Sequence, residues 1–148
     1  MCGVVYDPMR DDLFTASKGH GAYLNRKRIR VSKVAHLADG FLGTGFSYKK
    51  SKRYESIVRF KRFLLRSMAV RRAGSAALDL AYVACGRFDG FWEMDLNPWD
   101  SASGTLLVRE AGGKVTKFDG SVYTPYDKAI LATNSLIHKQ MSKVLKLS

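Results

Sequence analysis

The chain has 148 residues, 46% apolar, 26% charged and 11% aromatic, and a formal net charge of +12. That length and apolar share describe one globular unit with its own core, and exclude intrinsic disorder, a proline-rich linker and a collagen-like repeat. No apolar run approaches the ~18 residues of a membrane span, and residues 1–9 lack the basic-then-apolar pattern of a secretory signal.

The early part reads as strands and turns. Gly3-Val4-Val5-Tyr6 is a β-rich run stopped by Asp7-Pro8, and Leu13-Phe14-Thr15-Ala16 is a second. Gly19-His20-Gly21 is a turn, followed by Ala22-Tyr23-Leu24. Arg28-Ile29-Arg30-Val31 alternates basic and apolar residues with the two-residue period of a strand that has one wet face. Gly40 to Phe46 is a further, glycine-rich strand. Residues 54–68 switch to helical spacing. Tyr54, Ile57, Val58, Leu64, Leu65 and Met68 fall near one stripe, and Phe60 and Phe63 widen it. Ala76 to Cys85 reads as a buried helix, with Ser75 as its N-cap and Gly86 as its stop. Phe88 to Glu93 is a strand, and Pro98 precedes a helix from about Asp100 to Ala111. Val115 to Phe118 and Ala129 to Thr133 are closing strands, and Leu136 to Leu145 is a last helix. This order predicts a layered α/β arrangement.

All of the excess charge lies in the first half. Residues 1–72 hold 17 Lys/Arg against 5 Asp/Glu, and residues 49–72 carry ten basic residues against Glu55 alone. Such a block is either a solvated helix face or a patch for nucleic acid or an acidic partner. Exposed aromatics are not expected among these basic residues, because packing accounts for Phe60 and Phe63. Cys2 and Cys85 are too few for a disulfide framework or a closed four-ligand zinc site, which fits a reducing, cytoplasmic setting. His20, His36 and His138 are too scattered to pair on a metal.

Two segments could carry chemistry. Phe91 to Asp100 holds three carboxylates, Glu93, Asp95 and Asp100, beside Phe91, Trp92 and Trp99. Hard divalent cations such as Mg²⁺ prefer carboxylate oxygens and keep waters or phosphate oxygens in the rest of their shell. An N-cap role alone would explain an Asp at position 100. The second segment is Arg71-Arg72-Ala73-Gly74-Ser75-Ala76. A glycine and a capping serine at a helix start offer free N–H groups to anions and hydroxyls, and are also an ordinary cap. Asp79 and Tyr82, on the helix that follows, are expected to serve packing and hydrogen bonding.

At these segments the chain resembles the inositol monophosphatase family. Gly74-Ser75-Ala76-Ala77-Leu78-Asp79-Leu80-Ala81-Tyr82-Val83-Ala84 is similar to that family's helix signature. Pro98-Trp99-Asp100-Ser101-Ala102-Ser103-Gly104, leading to Glu110-Ala111-Gly112-Gly113, resembles its C-terminal motif, with Ser103 where alanine is more usual. Gly3 to Met9 and Gly21 to Asn25 are similar to its middle strands, most of all in bacterial members of the extragenic-suppressor type. The resemblance implies the αβαβα sandwich shared with fructose-1,6-bisphosphatase-like proteins. It also implies Mg²⁺-dependent, Li⁺-sensitive hydrolysis of inositol monophosphate or a related phosphomonoester, by a water activated at the metal. Asp100 is then a catalytic metal ligand, and Glu93, Gly74, Ser75 and Ala76 hold the inositol hydroxyls. A homodimer is implied. The bacterial members' association with the transcription machinery favours the alternative reading, in which the basic residues 49–72 form a module that contacts RNA or that machinery.

The family's other metal ligands come from an upstream Glu-rich helix motif and an Asp-Pro-x-Asp-Gly-Thr motif. Neither is present: Asp7-Pro8-Met9-Arg10-Asp11-Asp12 lacks the Gly-Thr. Residues 1–148 are therefore expected to form one unit corresponding to the C-terminal portion of such an enzyme, inactive on its own and with apolar sheet surface left uncovered.

Overall fold

The computed structural model describes residues 1–146. Alternation along the first strands builds one sheet. β1 (Cys2–Asp7), β2 (Asp12–Ser17), β3 (Gly21–Leu24) and β4 (Lys27–Ile29) form an antiparallel meander in that order. Val5, Phe14, Ala16 and Ala22 point to one face and are buried, whereas Val4, Tyr6 and Leu13 are exposed on the other. Among the described residues no helix covers that outer face.

The second sheet has the order β6-β5-β7-β9-β8, from β5 (Phe41–Thr44), β6 (Ala69–Arg71), β7 (Gly90–Met94), β8 (Lys114–Thr116) and β9 (Ala129–Thr133). β5 runs parallel to β6 and β7, while β9 runs antiparallel to β7 and β8. Between the sheets lie α2 (Ala76–Ala84) and α3 (Pro98–Glu110), packed on each other. On the far face of the second sheet lie α1 (Arg53–Leu64) and α4 (His138–Leu145). The result is a β–α–β–α stack.

Strand periodicity divides the core in two. Phe91 and Ala132 face α2 and α3, and their neighbours Trp92 and Leu131 face α1 and α4. Trp92 stacks on Phe63 of α1 with ring centroids 4.0 Å apart. Ser75 caps α2 by accepting from the Leu78 N–H, and Gly86 takes a left-handed φ of 78° just past its end, as the sequence predicts.

Three expectations are corrected. The buried face of α1 is Ser56 and Phe63, with Phe60 partly buried, whereas Tyr54, Ile57, Leu64, Leu65 and Met68 are exposed. The helix ends at Leu64, so the apolar residues beyond it never join its stripe. Phe63 wins the interior because Trp92 offers it a stacking partner. Second, α3 begins at Pro98, so its N-cap is Asn97 and Asp100 is the third helical residue. Third, exposed aromatics do lie among the basic residues of 49–72 and beside them, at Tyr54 and Tyr48. β6 has no counterpart in the sequence reading; it is a three-residue edge strand recruited by β5.

Candidate active site

The parallel strands β5 and β7 end on the same side of the second sheet, and the N-termini of α2 and α3 arrive there. Crevices at the carboxyl ends of parallel strands are where α/β folds place ligands. Here they enclose a cleft of about 270 Å³. All five residues singled out by sequence, Gly74, Ser75, Ala76, Glu93 and Asp100, line it. So do Thr44, Gly45, Tyr48, Arg72, Asp79 and Trp99.

Local chemistry explains each arm. Gly74 sits at φ 97°, a left-handed conformation that suits glycine, and turns the chain from β6 into α2. Ser75, Ala76 and Ala77, at the start of α2, line the cleft, where the first N–H groups of a helix have no intrahelical partner. On the other side, β7 ends at Met94 and Asp95 reverses the chain at φ 63°. Asp95 is held there by the Ser47 hydroxyl, which donates to it at 2.6 Å, and by Lys49 at 3.5 Å. These contacts keep its carboxyl below the usual range, so it is occupied structurally. Pro98 stiffens the entry to α3. The Asn97 N–H donates to Asp100 Oδ2 at 2.8 Å, which fixes that carboxylate at the cleft.

Electrostatics distinguish the acids. Burial pushes the Glu93 carboxyl up to about 7; the negative charge of Asp100 adds to this, and Arg72 opposes it. Asp79 is 1% exposed, and its carboxyl is also pushed up to about 7, by burial first and then by Glu93. Contrary to the expectation of a hydrogen-bonding role, Asp79 Oδ1 has no partner among the described residues. Tyr82 does meet that expectation, donating to Asp7 Oδ2 at 3.1 Å. Asp79 and Gly45 were the residues missed. The signal for Asp79 was an acid among Leu78, Leu80 and Ala81; nothing local marked Gly45.

Asp100 and Glu93 supply hard oxygen donors in one cleft, and their mutual repulsion is what a divalent cation would relieve. Among the described residues, no three His, Cys, Asp or Glu side chains converge closely enough to hold a metal ion. The donor set fits one wall of a cation site. No helix among these residues is long and apolar enough to cross a membrane.

Comparison with known proteins bears on this geometry. A sequence model of the inositol monophosphatase family matches residues 1–147. An inositol-1-monophosphatase of Synechocystis is 47% identical over 144 residues, which are 97% of this chain and 50% of the relative. The Nus factor SuhB of Escherichia coli is 49% identical over 139 residues, 93% of this chain and 52% of that protein. The solved structure of an inositol monophosphatase from Anabaena superposes with a TM-score of 0.94 at 45% identity, over 97% of this chain and 57% of that one. The chain spans about half the length of the curated relatives it matches.

Proposed function

The chain belongs to the inositol monophosphatase family, and from that premise we propose that its cleft is the sugar-side wall of a Mg²⁺-dependent phosphomonoesterase acting on inositol monophosphate or a related ester. In this reading residues 1–148 are one unit, the C-terminal portion of the phosphatase domain. The observation that carries it is the convergence of Gly74, Ser75, Ala76, Glu93 and Asp100 on a single cleft. Mg²⁺, when bound, would supply positive charge for the phosphoryl oxygens and activate water. Asp100 holds the cation with the oxygen left over from the Asn97 contact. Glu93 accepts ring hydroxyls, and the first turn of α2 donates N–H groups to ring oxygens. Trp99 at the rim shields one side of the ring. One cation-binding carboxylate is too few for metal-assisted phosphoryl transfer, so this chain alone turns over negligibly. A cytoplasmic setting accords with two free cysteines, and self-association with the exposed Val4, Tyr6 and Leu13.

Titration calorimetry of the 148-residue chain with myo-inositol, and with inositol 1-phosphate with and without Mg²⁺, tests this. Glu93→Gln should weaken sugar binding in every condition, and Asp100→Asn should abolish only the Mg²⁺-dependent gain. Absence of any binding refutes the assignment. Mg²⁺-dependent turnover by the chain alone, lost in Asp100→Asn, would refute its inactivity.

A second reading assigns residues 49–72 to RNA or the transcription machinery. Lys49, Lys50, Arg53, Lys61, Arg66, Arg71 and Arg72 are exposed, with Tyr48 and Tyr54 standing out at 85% and 78% exposure. Exposed rings among cations are what single-stranded nucleic acid stacks on. Binding of single-stranded RNA that weakens steeply with salt, and falls in Tyr54→Ala, supports it; no binding in low salt removes it.

A further inference from the structure

We propose that Asp79 is a substrate-contacting residue of this cleft, its buried carboxylate accepting a hydroxyl of a polyol phosphate beside Glu93 and favouring substrates with vicinal hydroxyls. The inference rests on the sugar-site reading above and extends it to a residue that the sequence left to packing.

The structural duties open to Asp79 are not performed by it. The cap of α2 is already made by Ser75, which accepts from the Leu78 N–H. Its position in the first turn suits an acid through the helix dipole, but that benefit needs no burial. It forms no ion pair among the described residues; the guanidinium in the cleft belongs to Arg72, which is exposed and reaches the Tyr48 hydroxyl at 3.4 Å. A carboxylate oxygen taken out of water without a partner is costly, and such groups call for a reason. Among the described residues, three side chains carry an orphaned buried atom, Arg59, Asp79 and Thr105. Of these, Asp79 alone lines the cleft.

The neighbourhood says what the missing partner is. Asp79 Oδ1 needs a donor, and the cleft wall around it offers apolar Ala76, Ala77 and Leu96 and the acid Glu93. A second carboxylate close by excludes an anion from this corner and suits a neutral hydroxyl. Adjacent hydroxyls on a ring would satisfy Glu93 and Asp79 together. The elevated proton affinity of Asp79 agrees, because a carboxyl near its midpoint can accept or donate to the same hydroxyl.

The test is NMR titration of the 148-residue chain with myo-inositol, and with cyclohexanol as a ring of the same size with one hydroxyl. In the wild-type chain the side-chain carboxyl carbons of both Asp79 and Glu93 should move on adding myo-inositol. Asp79→Asn should weaken myo-inositol roughly fivefold or more, the worth of one hydrogen bond, and leave cyclohexanol unchanged. Its circular dichroism should match the wild type. If the Asp79 carbon stays still while Glu93 moves, or if Asp79→Asn binds as tightly as wild type while Glu93→Gln does not, the proposal falls and the sugar site stands. If the wild-type chain binds no myo-inositol, both fall. The wild-type carbon shift decides the matter even if the variant fails to fold.

Discussion

A methyl group at Gly45 would land on the carboxylate of Glu93. The end of β5 thus makes room for the acid that β7 presents, and the cleft's shape depends on a side chain that is absent. Gly45→Ala should push Glu93 off its position and weaken myo-inositol binding about as much as Glu93→Gln does. Its far-ultraviolet circular dichroism should be unchanged, since Gly45 lies past the last residue of β5. Wild-type affinity in Gly45→Ala would show that Glu93 does not contact the ring.

Asp79 makes stability depend on pH. Its carboxyl is raised from 3.8 to about 7 in the folded chain. Between those values the folded state keeps a proton that the unfolded state has released. Its contribution is therefore full below about pH 4 and is lost as pH rises through about 7. Asp79→Asn removes the effect. The variant's stability relative to wild type should climb between pH 5 and pH 8, by roughly 1–3 kcal/mol. Urea midpoints measured across that range check this, and parallel curves would refute it.

Ser75 has two roles that substitution can separate. Ser75→Ala should cost up to about 1 kcal/mol, at the weaker end for a cap because the bond to the Leu78 N–H is 3.4 Å long. Ser75→Asp restores the cap but brings a negative charge into the cleft. Thermal melts should show stability recovering in Ser75→Asp, while calorimetry shows inositol 1-phosphate binding still impaired. Recovery of both would mean that the α2 terminus does not contact the substrate.

The α2–α3 contact depends on Gly104. A β-carbon there would lie 2.5 Å from Leu80 Cβ. Neither helix can give way without disturbing the core between the sheets, so Gly104→Ala should destabilise by roughly 1–3 kcal/mol. Leu80→Ala in the same chain should recover little of that loss, because it removes the contacts to Leu80 Cδ1 and Cγ at 2.6 and 3.1 Å but keeps the Cβ at 2.5 Å, and a double-mutant cycle would quantify the coupling.

The sequence made some features legible and hid others for identifiable reasons. α2 was readable at both ends because a capping serine and a left-handed glycine act locally. The face of α1 was not, because which apolar residues are buried depends on Trp92 from a distant strand. β6 escaped notice because three residues carry no period, and only pairing with β5 makes them a strand. In the site, Glu93, Asp100 and the α2 start were visible as residue types suited to cations and hydroxyls. Gly45 and Asp79 were not, since their proximity to Glu93 arises from the register of β5 on β7 and the docking of α2. Neither is written in a local run.

The two tryptophans stand in opposite surroundings: Trp92 is 3% exposed against Phe63, and Trp99 is 77% exposed at the mouth of the cleft. Their emission should therefore separate, Trp92 blue and sheltered, Trp99 red and open to quenching by iodide. A ligand in the cleft would screen Trp99 and leave Trp92 unmoved, whereas unfolding would merge the two. The chain thus carries a built-in optical reporter in which occupancy and denaturation leave different spectral signatures.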